Sequence, residues 1–264
     1  MAELIFIGLG LWDEKDITLR GLEVARKCDR LYAEFYTSKL TGLKAERLEK
    51  LLGKSITVLS RFQVEERADE ILEQAEKTRV AFLVPGDPMT ATTHLSLRIQ
   101  AAEKGIETRV INGVSIRTAV ASLLGLQSYK FGRTTTLVFP EPSFFPLSPY
   151  EAIKENKRRG LHTLVLLDIK AEAERYMCAN EGIELLLKME SIKKENVLAD
   201  DTLIAVVAQA GSPRPEIKVG GAKVLAREKF GKPLHSLVVP GKLHFMEQKA
   251  LEFYRVESNA RSTL

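Results

Sequence analysis

Val80-Ala81-Phe82-Leu83-Val84-Pro85-Gly86-Asp87-Pro88 is an apolar run of strand length that stops abruptly on two prolines, a glycine and an acid. Such a run, with no polar residue at alternate positions, reads as a strand covered on both faces, the kind found in parallel sheets. Its breakers place a loop at the carboxyl end of the strand, the edge of an open α/β sheet where ligands bind. Outward from it lie similar short runs. Leu4-Ile5-Phe6-Ile7 ends in Gly8-Leu9-Gly10, and Leu31-Tyr32-Ala33, Ile56–Leu59 and Thr108–Ile111 read as further strands. Amphipathic stretches separate them. Thr18 is placed to cap a helix through about Lys27, with Leu19, Leu22, Val24 and Ala25 as its inner face. A Glu-rich helix is predicted over Val64–Lys77, and another over Thr93–Lys104, stopped by Gly105.

The alternation continues with helices at Ser115–Leu124, Tyr150–Arg159, Ala179–Glu190 and Lys242–Tyr254, and strands at Thr135–Phe139, Thr163–Leu167, Leu203–Ala208 and Ser236–Val239. The pattern predicts an α/β protein of two domains, with mixed, mostly parallel sheets flanked by helices. The division is placed at Asn112-Gly113, where a strand ends in a turn dipeptide, giving domains 1–112 and 113–264. A cleft between two such domains is where a small ligand is expected. The segment from Pro140 to Pro149 carries four prolines and two phenylalanines. It is too proline-rich for a helix or central strand. It reads as a rigid surface loop, either a lid or partner contact or a plain connector with packed aromatics.

The composition is that of an ordinary folded chain: 264 residues, 45% hydrophobic and 28% charged. Lys and Arg number 39 against 35 Asp and Glu, for a net +4, and are mixed with the acids throughout. No basic face is concentrated, so no direct nucleic-acid binding is expected. The one dense group, Lys154–Arg159, reads as the solvated side of a helix. Cys28 and Cys178 are too far apart for a CxxC metal site and too few for a disulfide framework. Met1-Ala2-Glu3 lacks a basic n-region, and no apolar stretch approaches the roughly 20 residues of a membrane helix. A cytoplasmic protein without membrane contact is expected.

Several segments could carry chemistry. Gly8-Leu9-Gly10 follows a strand as a dinucleotide fingerprint would, and Glu34 stands after the second strand, where a ribose-binding acid is expected, but Asp13 occupies the third glycine position. The loop is either a close-packed turn, a phosphate grip or a backbone surface against a flat ligand. Pro85-Gly86-Asp87-Pro88 presents one carboxylate from a stiff frame, serving either a ligand or the turn itself. Thr90-Ala91-Thr92-Thr93-His94 favours hydroxyl capping of the next helix, with His94 packed or at the surface. Asn112-Gly113-Val114-Ser115 combines a turn with a capping serine that could equally touch a ligand. Ala208-Gln209-Ala210-Gly211-Ser212 suits close backbone approach by a flat ring, and His235 precedes an apolar strand. No Ser-His-Asp grouping, zinc spacing, Walker loop or HExxH is present, and no metal is expected.

Taken in order, the segments 6–11 (FIGLGL), 33–38 (AEFYTS), 84–88 (VPGDP), 91–94 (ATTH), 208–212 (AQAGS) and 240–245 (PGKLHF) resemble the tetrapyrrole-methylase-like, class III methyltransferases. Within them the chain is similar, in its compact archaeal form, to the branch that acts in diphthamide biosynthesis. The resemblance implies S-adenosyl-L-methionine as methyl donor and S-adenosyl-L-homocysteine as product. It implies a homodimer, and as substrate the 3-carboxy-3-aminopropyl-histidine of translation elongation factor 2, methylated repeatedly on its amino group. By position it implies Leu11, Asp87, Thr90, Ser115, Ile116, Leu167, Ala210 and His235 as donor-binding residues, and leaves the catalytic base unassigned. A sulfonium methyl is already electrophilic, so alignment and a dry site carry much of the catalysis. A precorrin methyltransferase, an NAD-dependent dehydrogenase using Gly8-Gly10, and a non-catalytic module of the translation machinery are the competing readings.

Overall fold

The structure is a computed structural model, and it describes residues 2–256. The chain divides into two compact units. One runs to Ile116 and takes in Ile169–Glu174 and Gly211–Pro213; the other comprises Arg117–Asp168, Arg175–Ala210 and the chain from Arg214 onward.

The first unit contains β1 (Glu3–Gly8), α1 (Leu19–Lys27), β2 (Arg30–Glu34), α2 (Ala45–Leu52), β3 (Thr57–Leu59), α3 (Arg61–Glu65), α4 (Asp69–Ala75), β4 (Arg79–Val84), α5 (Leu95–Glu103) and β5 (Thr108–Ile111). The strands form one sheet in the order β3-β2-β4-β1-β5, with every pairing parallel. Period-two alternation sends Leu4, Phe6, Val80 and Phe82 into one apolar cluster with Ile71 and Leu72. Their neighbours Ile5, Ile7, Ala81 and Leu83 enter a second cluster with Ala25, Leu48 and Leu52. Burying each such Leu, Ile or Phe contributes about 1.5–3 kcal/mol, and the two-sided cover explains why the strands carry no polar alternation.

Three local differences from the expected elements have clear causes. Thr18 does cap α1, its hydroxyl accepting from Gly21 N–H at 3.0 Å. That phase turns Gly21 and Ala25 inward and leaves Leu19 outside, 79% exposed. The expected Glu-rich helix is two helices, α3 and α4, broken at 66–68, and the first starts earlier than expected because Ser60 and Gln63 form a capping box at its head. Val64, Ala68, Ile71, Leu72 and Ala75 are all buried, so a helical period runs across the break and hides it. The helix α2 had no visible start signal, since its cap, Lys44, makes no side-chain capping bond.

The second unit contains α6 (Ile116–Leu124) from its second residue on, β6 (Thr135–Leu137), α7 (Ser148–Arg158), β7 (Thr163–Leu167), α8 (Ala179–Lys193), β10 (Leu203–Ala208), β11 (Glu216–Gly221), α9 (Ala222–Leu225), β12 (His235–Val239) and α10 (Phe245–Glu252); of the two short strands between β7 and α8 in the chain, β8 (Ile169–Lys170) belongs to the first unit and β9 (Arg175–Tyr176) to the second. Its sheet order is β11-β10-β12-β7-β6. This sheet is mixed: β6 and β7 are parallel, whereas β7–β12, β12–β10 and β10–β11 are antiparallel. The short turn from β10 into β11 cannot make a parallel crossover. β11 escapes the sequence pattern because Lys218, Gly220 and Gly221 interrupt its apolar residues on an edge strand.

A charged network ties α10 into this unit. Glu247 is 1% exposed and accepts from Gln127 N–H at 2.9 Å, from His244 N–H at 2.8 Å, and from Lys130. The His162 ring, also buried, donates to Glu247 at 2.9 Å through Nε2, while Nδ1 accepts from Gly241 N–H at 3.0 Å. In the proline-rich loop, Glu141 and Phe144 exchange backbone hydrogen bonds of 3.0 Å, and Phe145 and Leu147 pack on the core while Phe144 is 54% exposed.

Candidate active site

The carboxyl ends of β4, β1 and β5, three adjacent strands, are drawn together without side chains. A Cβ at Gly8 would lie 2.5 Å from both Gly113 N and Gly86 O, and a Cβ at Gly113 would overlap Gly86 O outright. Gly86 N–H donates to Gly10 O at 2.6 Å, Gly10 N–H returns to Gly86 O at 3.2 Å, and Leu9 N–H donates to Val84 O at 2.8 Å. Gly10 and Gly86 have φ of +77° and +72°, which an L side chain rarely adopts. The Asn112-Gly113 turn thus packs against the ends of β1 and β4.

Gly8-Leu9-Gly10 forms a close-packed turn, and its geometry argues against the phosphate grip. The N–H groups of Leu11 and Trp12, which a phosphate would need, donate instead to Asp16 Oδ2 at 3.0 and 2.7 Å. Glu34 is equally committed. It is fully buried, accepts from Tyr36 N–H at 2.9 Å, Thr37 N–H at 3.0 Å and the Thr37 hydroxyl, and so offers nothing to a ribose. Burial raises its pKa, against the lowering effect of those hydrogen bonds.

Asp87 serves its own turn. It is 7% exposed; Oδ1 accepts from Met89 N–H at 3.1 Å and from the Thr90 hydroxyl at 2.9 Å, and Oδ2 from the Asn112 amide at 2.8 Å. The carboxylate therefore bridges the loops after β4 and β5. The sequence reading favoured capping of the next helix by the hydroxyls of 90–93, and none of them caps it. Thr90 bonds Asp87, Thr92 donates to Pro88 O at 2.9 Å, and Thr93 donates to Glu65 at 2.7 Å, while α5 starts after His94 without a side-chain cap. His94 is a packed histidine, 1% exposed. Leu11, Thr90, Ser115 and Ile116 are all half-buried around this edge of the first sheet.

The remaining three expected residues collect at one edge of the second sheet. Leu167 ends β7, Ala210 follows β10, and His235 opens the antiparallel β12 with Ala208 as its cross-strand partner. His235 is buried; its Nδ1 accepts from Ala179 N–H at 3.0 Å, and Nε2 donates to Lys232 O at 3.0 Å. Burial lowers its pKa, and the imidazole is neutral. It therefore holds the first turn of α8, a role not visible in sequence because Ala179 lies far away along the chain. Among the described residues, no group of three or more His, Cys, Asp or Glu is placed to hold a metal ion, and no helix is long and apolar enough to cross a membrane.

Residues 3–225 match the family model of tetrapyrrole (corrin/porphyrin) methylases. With its parallel first sheet and glycine-packed strand ends, the chain belongs to this family of methyltransferases. The diphthine synthase of Methanocaldococcus jannaschii is 52% identical over 252 residues, covering 95% of this chain and 98% of that protein. That of Methanococcus maripaludis strain C7 is 51% identical over 250 residues, with the same coverage of 95% and 98%. A crystal structure of diphthine synthase superposes with a TM-score of 0.87 at 39% identity, covering 96% of this chain and 95% of that one. A provisionally assigned diphthine synthase from Entamoeba histolytica gives 0.90 at 38%, covering 98% and 100%. Within the family, the chain falls among the diphthine synthases.

Proposed function

We propose that this chain transfers methyl groups from S-adenosyl-L-methionine to the amino group of the 3-carboxy-3-aminopropyl-histidine of elongation factor 2, a step of diphthamide biosynthesis, acting as a cytoplasmic homodimer. Identity above 50% to named diphthine synthases over 95% of the chain carries this reading.

The residues suit such a donor. S-adenosyl-L-methionine is a cationic nucleoside without phosphate, and when bound it supplies an electrophilic methyl carbon. None of Leu11, Asp87, Thr90, Ser115, Ile116, Leu167, Ala210 and His235 carries a permanent positive charge. The loop after β1 has its anion-binding N–H groups occupied by Asp16. That chemistry disfavours a phosphate-bearing cofactor, and with it the dehydrogenase reading.

In this proposal Leu11, Thr90, Ser115 and Ile116 contact the donor, and Leu167 and Ala210 contribute backbone and shape. Asp87 and His235 act chiefly by holding their neighbours, since their polar atoms are already bonded. Positioning of the amine against the methyl carbon supplies the rate. Asp87, with three donors on its two oxygens, is a frame residue rather than the proton acceptor.

Calorimetric titration should show binding of S-adenosyl-L-methionine and none of NAD, and labelled methyl should pass to aminocarboxypropylated elongation factor 2 but not to precorrins. Methyl transfer to precorrins alone would replace the substrate assignment. Asp87→Ala strips three donors of their acceptor, so it should lower stability by about 2 kcal/mol as well as weaken the donor. Unchanged donor affinity in a folded Asp87→Ala protein would detach this turn from the site. Sedimentation velocity checks the dimer.

A further inference from the structure

His94 lies where two loops of the first sheet edge meet. Its Nδ1 is 3.2 Å from Pro88 O, a group that only accepts, so Nδ1 carries the proton. Nε2 then offers its lone pair, with the Tyr36 hydroxyl at 3.5 Å and Glu34 Oε1 at 3.6 Å. Phe82 packs edge-on against the ring at 5.1 Å, and the Tyr36 ring does so at 6.2 Å. Both His94 and Glu34 side chains have 0% exposure, so neither meets a ligand. Pro88 closes the turn that carries Asp87 and Thr90, and it has no N–H of its own to anchor it. Its carbonyl is held by the Thr92 hydroxyl at 2.9 Å and by His94.

We propose that His94 is a positioning residue. It pins the Pro88 carbonyl through Nδ1–H, and the Glu34–Tyr36 loop aligns its ring, so that the turn from Gly86 to Thr90 keeps the shape that holds the methyl donor. This rests on the donor-binding role proposed above for that turn. Burial pushes the imidazole below its usual pKa, so Nε2 stays an acceptor, which the Tyr36 hydroxyl can approach as a donor. The ring works as a rigid spacer between the carboxyl ends of β2 and β4. A phenyl ring would fill the same space without holding the carbonyl.

Two amide variants separate the pin from simple packing. The side-chain nitrogen of asparagine can stand where Nδ1 stands, whereas that of glutamine reaches the place of Nε2. His94→Asn should keep amide hydrogen exchange at Met89 and Thr90, and donor affinity by calorimetry, within about threefold of the unsubstituted protein. His94→Gln should raise both exchange rates and the donor dissociation constant about tenfold, even where its thermal midpoint equals that of His94→Asn. Equal effects of the two substitutions, whether both large, both small or both through loss of folding, would overturn the pin and leave His94 as core filling. Failure of the unsubstituted protein to bind S-adenosyl-L-methionine would sink the functional reading instead, with the exchange pattern at Met89 and Thr90 still deciding the pin.

Discussion

At the level of single residues, what matters at the first sheet edge is an absent atom. Gly113 has room for a hydrogen and nothing larger, because Gly86 O and the backbone of Gly8 occupy the place of its Cβ. Gly113→Ala should cost at least about 2 kcal/mol, since the clash is with main chain that cannot turn aside. Gly53→Ala is the comparison. It has φ of +73° but nothing within 4 Å, so only backbone strain of about 1 kcal/mol is expected. Urea unfolding of both proteins checks the difference. The sequence announced this edge by its glycines and by Asp87, but not their employment. Three donors on Asp87, from residues 89, 90 and 112, mark a turn-holding carboxylate where sequence reading left ligand and turn open. Glu34, Asp16 and His94 went unrecognised as structural anchors because their partners are set by backbone geometry that spacing does not reveal.

At the level of elements, the strands were the legible part. An apolar run between breakers needs no distant partner to be read, and β5 and β7 have the bounds expected. Helix limits were harder. Val64 to Ala75 keeps an inward-facing period across the break at 66–68, which hides it, and β11 hides among lysine and glycine. His235 supplies one further element-scale dependence. Its Nδ1 takes the N–H of Ala179, the first residue of α8. His235→Ala should leave that buried N–H without an acceptor and cost about 1–3 kcal/mol. Faster exchange of the Ala179 amide, with that of α7 unchanged, is the local signature. His235→Asn, with an oxygen near the place of Nδ1, should recover part of the loss.

For the whole molecule, Glu247 sets an acid limit. Burial pushes its carboxyl upward, but hydrogen bonds from His244 N–H, Lys130, Gln127 N–H and His162 prevail and hold it at about 2, below the ordinary 4.5. A carboxylate with a depressed folded pKa stabilises above its unfolded value and loses that contribution as pH falls. The window here runs from about 4.5 down to about 2. The contribution at neutral pH is on the order of 3 kcal/mol, each pKa unit being about 1.4 kcal/mol. Glu247→Gln should therefore flatten the dependence of stability on pH between 5 and 2, and denaturant unfolding across that range measures it. Conversely, the unfolding temperature in saturating S-adenosyl-L-methionine should rise by roughly 5–10 °C at a hundredfold excess over the dissociation constant.

The contact of Gly8, Gly86 and Gly113 also limits how such a protein can change. Gly8 and Gly113 meet the Gly86 carbonyl and each other through main chain alone, so neither leaves room for a side chain, while Gly86 has open space at its Cβ position and is restricted by its positive φ. A laboratory effort to redirect this scaffold toward another acceptor would find that library diversity placed at Gly8 and Gly113 destabilises the fold, because the clash is with backbone. Productive variation must enter through flanking positions such as Val114, which is exposed and whose side chain lies outside that backbone contact.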